Sequence, residues 1–373
     1  MRRRIVLHAF KTAACIGLTA NTTGKIEDSD CGPQWEKKMT ILNRRSFLQS
    51  AAVVAATGVG LRRASAADFT LKLGSSMPSS IITVSFLKKA ADRINSETNG
   101  KVDLKIFPDS QLGSDADMLS QLRSGALSML SGTTGSLGTL VPAASLSTIG
   151  FAFDNYDQVW KAMDGELGAH IRSELDKVGI VYLNVFDAGF RQITTSSVEI
   201  KSVADMSGLK IRVPTSPIYA AMFHTMGASP TTINFGEIYS ALQTKLVDGQ
   251  ENPLSLIQSA KIYEVQKHCA LSNHAWDGPM MCINKVVWNK MPKDVQEIIM
   301  RVFKETAIEQ RAALAAQGEQ IKADLIKAGL AFNTPDTDSF RKKLQEGGFY
   351  AEMKKTLGAK NWAVLEKVSS IRT

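Results

Sequence analysis

Phe69 to Gly74 alternates apolar and polar residues and ends at a glycine, the period-2 pattern of a half-buried strand. From Val84 to Ile94 the apolar residues Phe86, Leu87, Ala90, Ala91 and Ile94 recur at helical spacing, and Asn99-Gly100 ends the run. Val102 to Phe107 alternates again and closes on Pro108. Strand, helix and strand in close succession form a βαβ unit, which requires a parallel pair and a right-handed crossover.

The pattern recurs along the chain. Asp115 to Ser124 reads as a helix stopped by Gly125, and Leu127–Leu130 as a short strand before a Gly/Thr/Ser loop over 131–135. Asn155 to Leu175 is helical with a break at Gly165 and Gly168, and Ile180–Phe186 is a strongly apolar strand. Further on, Gln192–Thr195 and Leu209–Val213 read as strands, and Ile218–Met226 and Phe235–Lys245 as helices. Asp248-Gly249 reads as a turn, Pro253–Ile262 as a helix, and Cys269–Asn273 and Met280–Asn284 as strands. From Pro292 the chain is almost wholly helical to Ala328, with Gly329 as its stop; a short strand, Ala331–Asn333, and two helices follow. Alternation of β and α segments throughout makes the class α/β, and the length favours two domains.

Charge changes the picture only at the start. The chain carries +8 overall, but residues 1–66 hold 11 Lys/Arg against 4 Asp/Glu, leaving 33 basic and 32 acidic residues in the remainder. A near-neutral body gives no electrostatic footprint for nucleic acid. The basic stretch reads as a leader. After Met39 come Arg44-Arg45-Ser46-Phe47-Leu48, an apolar run from Ala51 to Leu61, then Arg62-Arg63 and Ala64-Ser65-Ala66. Paired arginines ahead of Phe-Leu resemble a twin-arginine export signal, with cleavage near Ala66 delivering the protein to the periplasm. The apolar run falls short of the ~20 residues that span a bilayer as a helix, although retention as an anchor is the alternative. Residues 1–38 read as neither signal nor fold, which makes Met39 a candidate start.

Beyond the leader two cysteines remain, Cys269 and Cys282, readable either as one disulfide of an exported protein or as two buried small side chains. His170, His224, His268 and His274 show no ligand spacing, so no metal is expected. A Gly-x-Ser-x-Gly elbow, a Cys/His pair and a dinucleotide fingerprint are all missing, which argues against catalytic residues, cofactors and an enzyme.

Six fragments in order give the chain a resemblance: Ser110–Gly113, Phe190-Arg191-Gln192, Ala204–Pro214, Phe235–Gln243, Val247–Pro253 and Tyr263–Lys267. With these, residues 68–370 resemble the DctP-type solute-binding proteins of TRAP transporters, periplasmic receptors that hand organic acids to a membrane permease. The resemblance implies a two-lobed periplasmic-binding-protein fold with a ligand cleft between the lobes and a long helix spanning both. By the same analogy one lobe takes 68–189 plus 278–317 and the other 190–277 plus 318–373.

It also implies a site. Arg212 lies on the polar side of Leu209–Val213 and reads by itself as a solvated strand residue; in the family the matching arginine grips the ligand carboxylate, a task its planar fork suits. Arg191 matches a second arginine that assists, or else makes an ion pair between the lobes. Asn252, otherwise a turn or capping residue, matches an amide that donates to the same carboxylate. Phe235 matches a ring against the ligand body, and Thr215, Ser76 and Thr133 fall in loops that face the cleft. Trp276 reads as a pocket wall or as core. The ligand is then a small carboxylate (a C4 dicarboxylate, a sugar acid, or an aromatic or 2-oxo acid), with fewer hydroxyls than a sialic acid. Two other functions stay open: a binding protein feeding a sensor partner, and a cofactor-bearing periplasmic oxidoreductase.

Overall fold

The computed structural model describes residues 67–371. The leader, its twin-arginine-like pair and the cleavage near Ala66 lie outside them. The strands are β1 (Phe69–Ser75), β2 (Val102–Phe107), β3 (Met129–Gly132), β4 (Ile180–Val185), β5 (Gly189–Thr195), β6 (Lys210–Val213), β7 (Ser229–Thr232), β8 (Gly249–Pro253), β9 (His268–Ala270), β10 (Trp276–Asp277), β11 (Met280–Asn284) and β12 (Ala331–Asn333). They build two sheets, one ordered β2-β1-β3-β11-β4 and the other β12-β9-β5-β8-β6-β7, with β10 beside β5. Both are mixed: β1 runs parallel to β2 and β3 while β11 opposes β3 and β4, and β6 runs parallel to β7 and β8 while β5 opposes β8 and β9. The fold is therefore a two-lobed α/β architecture.

The chain crosses between sheets after β4 and again before β11. The two crossing segments hydrogen-bond each other, Phe186 N–H to the Pro279 carbonyl at 3.0 Å and Ala188 N–H to that of Asp277 at 3.2 Å. The helix Lys293–Lys327, of 35 residues, ties the lobes together. Its first half buries Val295, Ile299, Val302, Phe303 and Ala307 against Leu71, Leu87 and Ile283 of the first lobe. Its second half buries Leu314, Ile321 and Leu325 against Ile238, Ile257 and Cys269 of the other. Between the halves, Gln310 accepts from the Asp187 N–H at 2.9 Å and donates to its carbonyl at 2.8 Å, clamping the crossing.

Several expectations are corrected. The loop expected over 131–135 continues β3 to Gly132, and Thr133 caps a helix over Thr134–Leu140, accepting from Ser136 N–H at 3.2 Å. The break expected at Gly165 and Gly168, by contrast, is found: it divides two helices, Tyr156–Met163 and Glu166–Lys177, and a Cβ on Gly168 would sit 1.8 Å from the Met163 carbonyl oxygen. Asn252, expected after a turn, lies inside β8. Phe235 opens a short 3-10 turn, and the α-helix starts at Ile238. The C-terminal helix Ala359–Val368 packs back on the helix Glu166–Lys177, with His170 Nε2 2.6 Å from Asn361 Oδ1. Cys269 and Cys282 are buried, unpaired, and in different sheets. Among the described residues no helix is long and apolar enough to cross a membrane.

Candidate functional site

Arg191, Asn252 and Arg212 come from three adjacent strands of the second sheet. β8 lies between β5 and β6, with Gln192 opposite Asn252 and Arg212 opposite Gln250. β8 reads Gly-Gln-Glu-Asn-Pro and is buried at every position. Buried polar groups must find partners or cost free energy, so the strand acts as a scaffold of hydrogen bonds. Gln250 Nε2 donates to Thr194 Oγ1 at 2.8 Å, and Asn252 Nδ2 donates to Gln250 Oε1.

Arg191 is bound tightly inside this scaffold. Its Nε donates to one Glu251 carboxylate oxygen and its Nη2 to the other at 2.8 Å, a bidentate fork. Nη2 also reaches the Glu251 carbonyl at 2.9 Å and Asn252 Oδ1 at 3.1 Å, and Nη1 donates to Asp277 at 2.9 Å. The guanidinium stands over the Tyr219 ring, 4.9 Å from its centroid. Burial works to lower the Arg191 pKa, but Glu251 overcomes it and the net direction is up. Burial likewise works to raise Glu251, and Arg191 with His274 pulls it down, so the pair is charged. His274 Nε2 lies 3.1 Å from Glu251 and its Nδ1 2.8 Å from Ser272 Oγ; burial lowers its pKa, keeping the ring neutral.

Arg212 is the opposite case. It is 1% exposed, so it is not a solvated strand residue. Its Nε donates to the Ile233 carbonyl at 2.8 Å, whereas Nη1 is buried with no partner. Burial pushes it down to about 9, with Arg191 adding to the push and Glu251 and Asp115 opposing it. The guanidinium is thus buried without a counter-ion of its own, which costs the folded protein free energy.

Around Arg212 the lobes meet. A Cβ on Gly135 of the first lobe would lie 2.8 Å from that of Ser216 in the second, and Met77, Ile81 and Val84 pack with Leu256 and Phe235.

The family model described as bacterial extracellular solute-binding protein, family 7, or DctP, matches residues 73–356. The chain belongs to this family. The sialic acid-binding periplasmic protein SiaP of Vibrio cholerae is 31% identical over 290 residues, 78% of this chain and 89% of that protein. An uncharacterized protein of Sinorhizobium fredii is 35% identical over 288 residues, 77% of this chain; the chain spans only 53% of its length. A TRAP periplasmic solute-binding protein of Sulfurospirillum deleyianum, solved with bound succinate, superposes with a TM-score of 0.75 at 29% identity, over 82% of this chain and 100% of that one. As a DctP-family member the protein is an extracytoplasmic solute receptor of the periplasm, not an enzyme, and its partners are TRAP permease subunits. Among the described residues no cluster of His, Cys, Asp or Glu is arranged to hold a metal ion.

The remaining expected residues of this DctP-family chain divide by position. Ser76 is buried beside the Asp115 carboxyl, and Thr215 is half-buried where its carbonyl approaches Gly135. Thr133 has its hydroxyl engaged as a helix cap. Phe235 is half-buried between the lobes. Trp276 is 1% exposed, donates from its indole to Asp187 at 2.9 Å and meets the Trp160 ring edge-on at 5.4 Å, a core position. Sequence reasoning missed Glu251 and Asp277 as the partners of Arg191, and Asp115 near Arg212. Glu251 was within reach, since a carboxylate sits between Gln250 and Asn252 in a motif already singled out. Asp277, 86 positions from Arg191, carried no local signal.

Proposed function

We propose that the protein captures a small organic acid by its carboxylate, with Arg212 as the principal contact, and delivers it to a TRAP permease. The observation that carries this is the buried, unpartnered Nη1 of Arg212. A carboxylate offers two oxygens to a guanidinium fork, and each charged hydrogen bond contributes about 1.5–3 kcal/mol. Sialic acid and succinate, named for the two relatives, are both carboxylates. Arg191 supports the same pole chiefly through its field, since most of its hydrogen bonds go to Glu251, Asn252 and Asp277. Asn252, one strand from Arg212 and held by Gln250, is the amide contact in this reading. Thr215, Ser76, Thr133 and Phe235 shape the rest of the cleft, and Trp276 stiffens it from behind.

The lobes in this reading are 68–189 plus 278–317 and 190–277 plus 318–373, supported by the membership of the two sheets; the last helix reaches back to the first lobe. The leader is cleaved near Ala66 after twin-arginine export. Mass measurement of the exported form checks that position.

Melting-temperature shifts against a panel of organic acids test the site. An acid present at about 100 times its Kd adds about 2.7 kcal/mol of stability to the wild type. Arg212→Ala is expected to lose that response, and an equal response from both proteins would rule out the clamp.

A further inference from the structure

The first lobe carries a cavity of about 840 Å³ that shares no residue with the carboxylate clamp. It lies between β4, the last strand of the first sheet, and the opening turns of the helix Lys293–Lys327. Tyr182, Leu183 and Asn184 border it in succession, which a strand can do only along its edge, because alternate side chains point to opposite faces. On the helix, Lys293, Met300, Lys304 and Ile308 line it. Their spacing keeps them on one face, a different one from the stripe of Val295, Ile299, Val302 and Phe303 that fills the first core. Met163 and Trp288 complete the apolar wall. Trp288 and Met300 are half-buried, and Ile308 is 53% exposed at the rim.

The charges around this cavity do not balance. Of the two acids that line it, Asp164 is taken up by Arg311 through hydrogen bonds of 2.7 and 3.0 Å, so Glu297 stands alone. Among the cations, Arg301 pairs with Glu97 and Glu305, whereas Arg172, Lys293 and Lys304 have no acidic partner among the described residues. Arg172 is also held in place. Its guanidinium stands 5.1 Å from the Tyr182 ring centroid and its Nε donates to the Tyr182 carbonyl at 3.4 Å, which leaves both Nη groups without an acceptor among the described residues. A planar fork with both ends open suits an oxyanion, and a concave, partly apolar site focuses the field of several cations on what enters it. Trp288 and the thioethers of Met163 and Met300 offer an adaptable surface to a flat ring. The volume falls within the ~300–1,000 Å³ of small-molecule sites. We infer that the cavity is a second binding site, for an aromatic organic anion, with Arg172 and Lys304 at its charged end and Trp288 and Met300 against the ring. It stands independently of the carboxylate reading of Arg212.

The test is calorimetric titration of the purified protein with 2-naphthoate and with its uncharged counterpart, 2-naphthalenemethanol, in the Arg212→Ala background so that the clamp contributes nothing. One naphthoate should bind per chain, and the neutral compound about tenfold more weakly. Lys304 is exposed, so Lys304→Glu should fold normally; it replaces an attraction by a repulsion and should weaken naphthoate by about tenfold. Arg172→Lys keeps the charge without the fork and should lose less affinity than Arg172→Gln. In the protein with Arg212 intact, saturation with the best cleft acid should leave this naphthoate site open. Equal binding of the neutral compound overturns the inference, as does unchanged binding by Lys304→Glu or no binding of naphthoate at all. Tighter binding of hexaglutamate than of naphthoate gives the cavity to an acidic chain segment, and a dimer in light scattering that Lys304→Glu dissociates gives it to a second copy. Either result overturns the inference as well.

Discussion

Replacing Arg212 by methionine should make the free protein more stable while removing its capacity to bind. Burial brings this guanidinium from its ordinary value above 12 down to about 9. At about 1.4 kcal/mol for each tenfold change, keeping it charged costs the folded state about 5 kcal/mol. The sign follows from linkage. The unfolded chain holds this proton more tightly than the folded one, so the penalty is complete below pH 9 and fades only as the pH rises from about 9 past 12. At neutral pH all of it is present. Methionine has a similar reach and no charge, but it leaves the Ile233 carbonyl without the Nε donor, a loss of about 1–3 kcal/mol. The net gain is about 2–4 kcal/mol, a rise in Tm of about 4–8 °C for a chain of this size. Two charged hydrogen bonds to a carboxylate, about 3–6 kcal/mol together, are lost at the same time, weakening binding by about 10²–10⁴-fold. Thermal melts of wild type and Arg212→Met, each with and without the best acid of a panel, read both effects. The free variant should melt higher and show no ligand shift. A free variant that melts lower, or one that keeps the shift, refutes the reasoning.

Three further outcomes can be checked. Glu251→Gln strips the fork from Arg191 and leaves a buried charge with Asp277 as its remaining carboxylate, so urea unfolding should report a loss of about 3–5 kcal/mol. Asp187 is raised to about 7, chiefly by burial, which means its ionisation opposes folding increasingly from about pH 4 up to pH 7 and fully above. Asp187→Asn should therefore melt higher than wild type at pH 8, and the difference should shrink towards pH 4. Gly168→Ala drives a methyl into the Met163 carbonyl and should lower stability by about 2 kcal/mol or more in the same melts.

The elements with clear periodicity were legible from the residues alone. β1, the helix Ile82–Glu97 and β2 were found nearly to their ends because their apolar positions obey one period each. β8 was not, and the reason is physical: a strand buried at every position normally shows a run of branched apolar residues, whereas Gly249–Pro253 shows none. Its burial is made tolerable by Arg191, Thr194 and His274, which lie far away in sequence, so no window around residue 250 contains the explanation. The same distance hid the division of labour between the two arginines. Both stand beside ordinary strand neighbours, yet Arg191 receives two carboxylates and Arg212 none of its own. The resemblance named both residues as ligand contacts; the packing separates a cation held by two carboxylates from one buried with no carboxylate of its own.

The helix Lys293–Lys327 has a consequence for how the molecule melts. At 1.5 Å per residue its 35 residues extend for about 52 Å, and its two halves belong to two different cores. Neither lobe can lose its helix without fraying the backbone that completes the other. Two lobes joined only by paired crossing strands would be free to unfold one after the other. With a shared beam through both, heat should take them apart in a single cooperative step, and calorimetry should return one peak whose enthalpy fits the whole described chain.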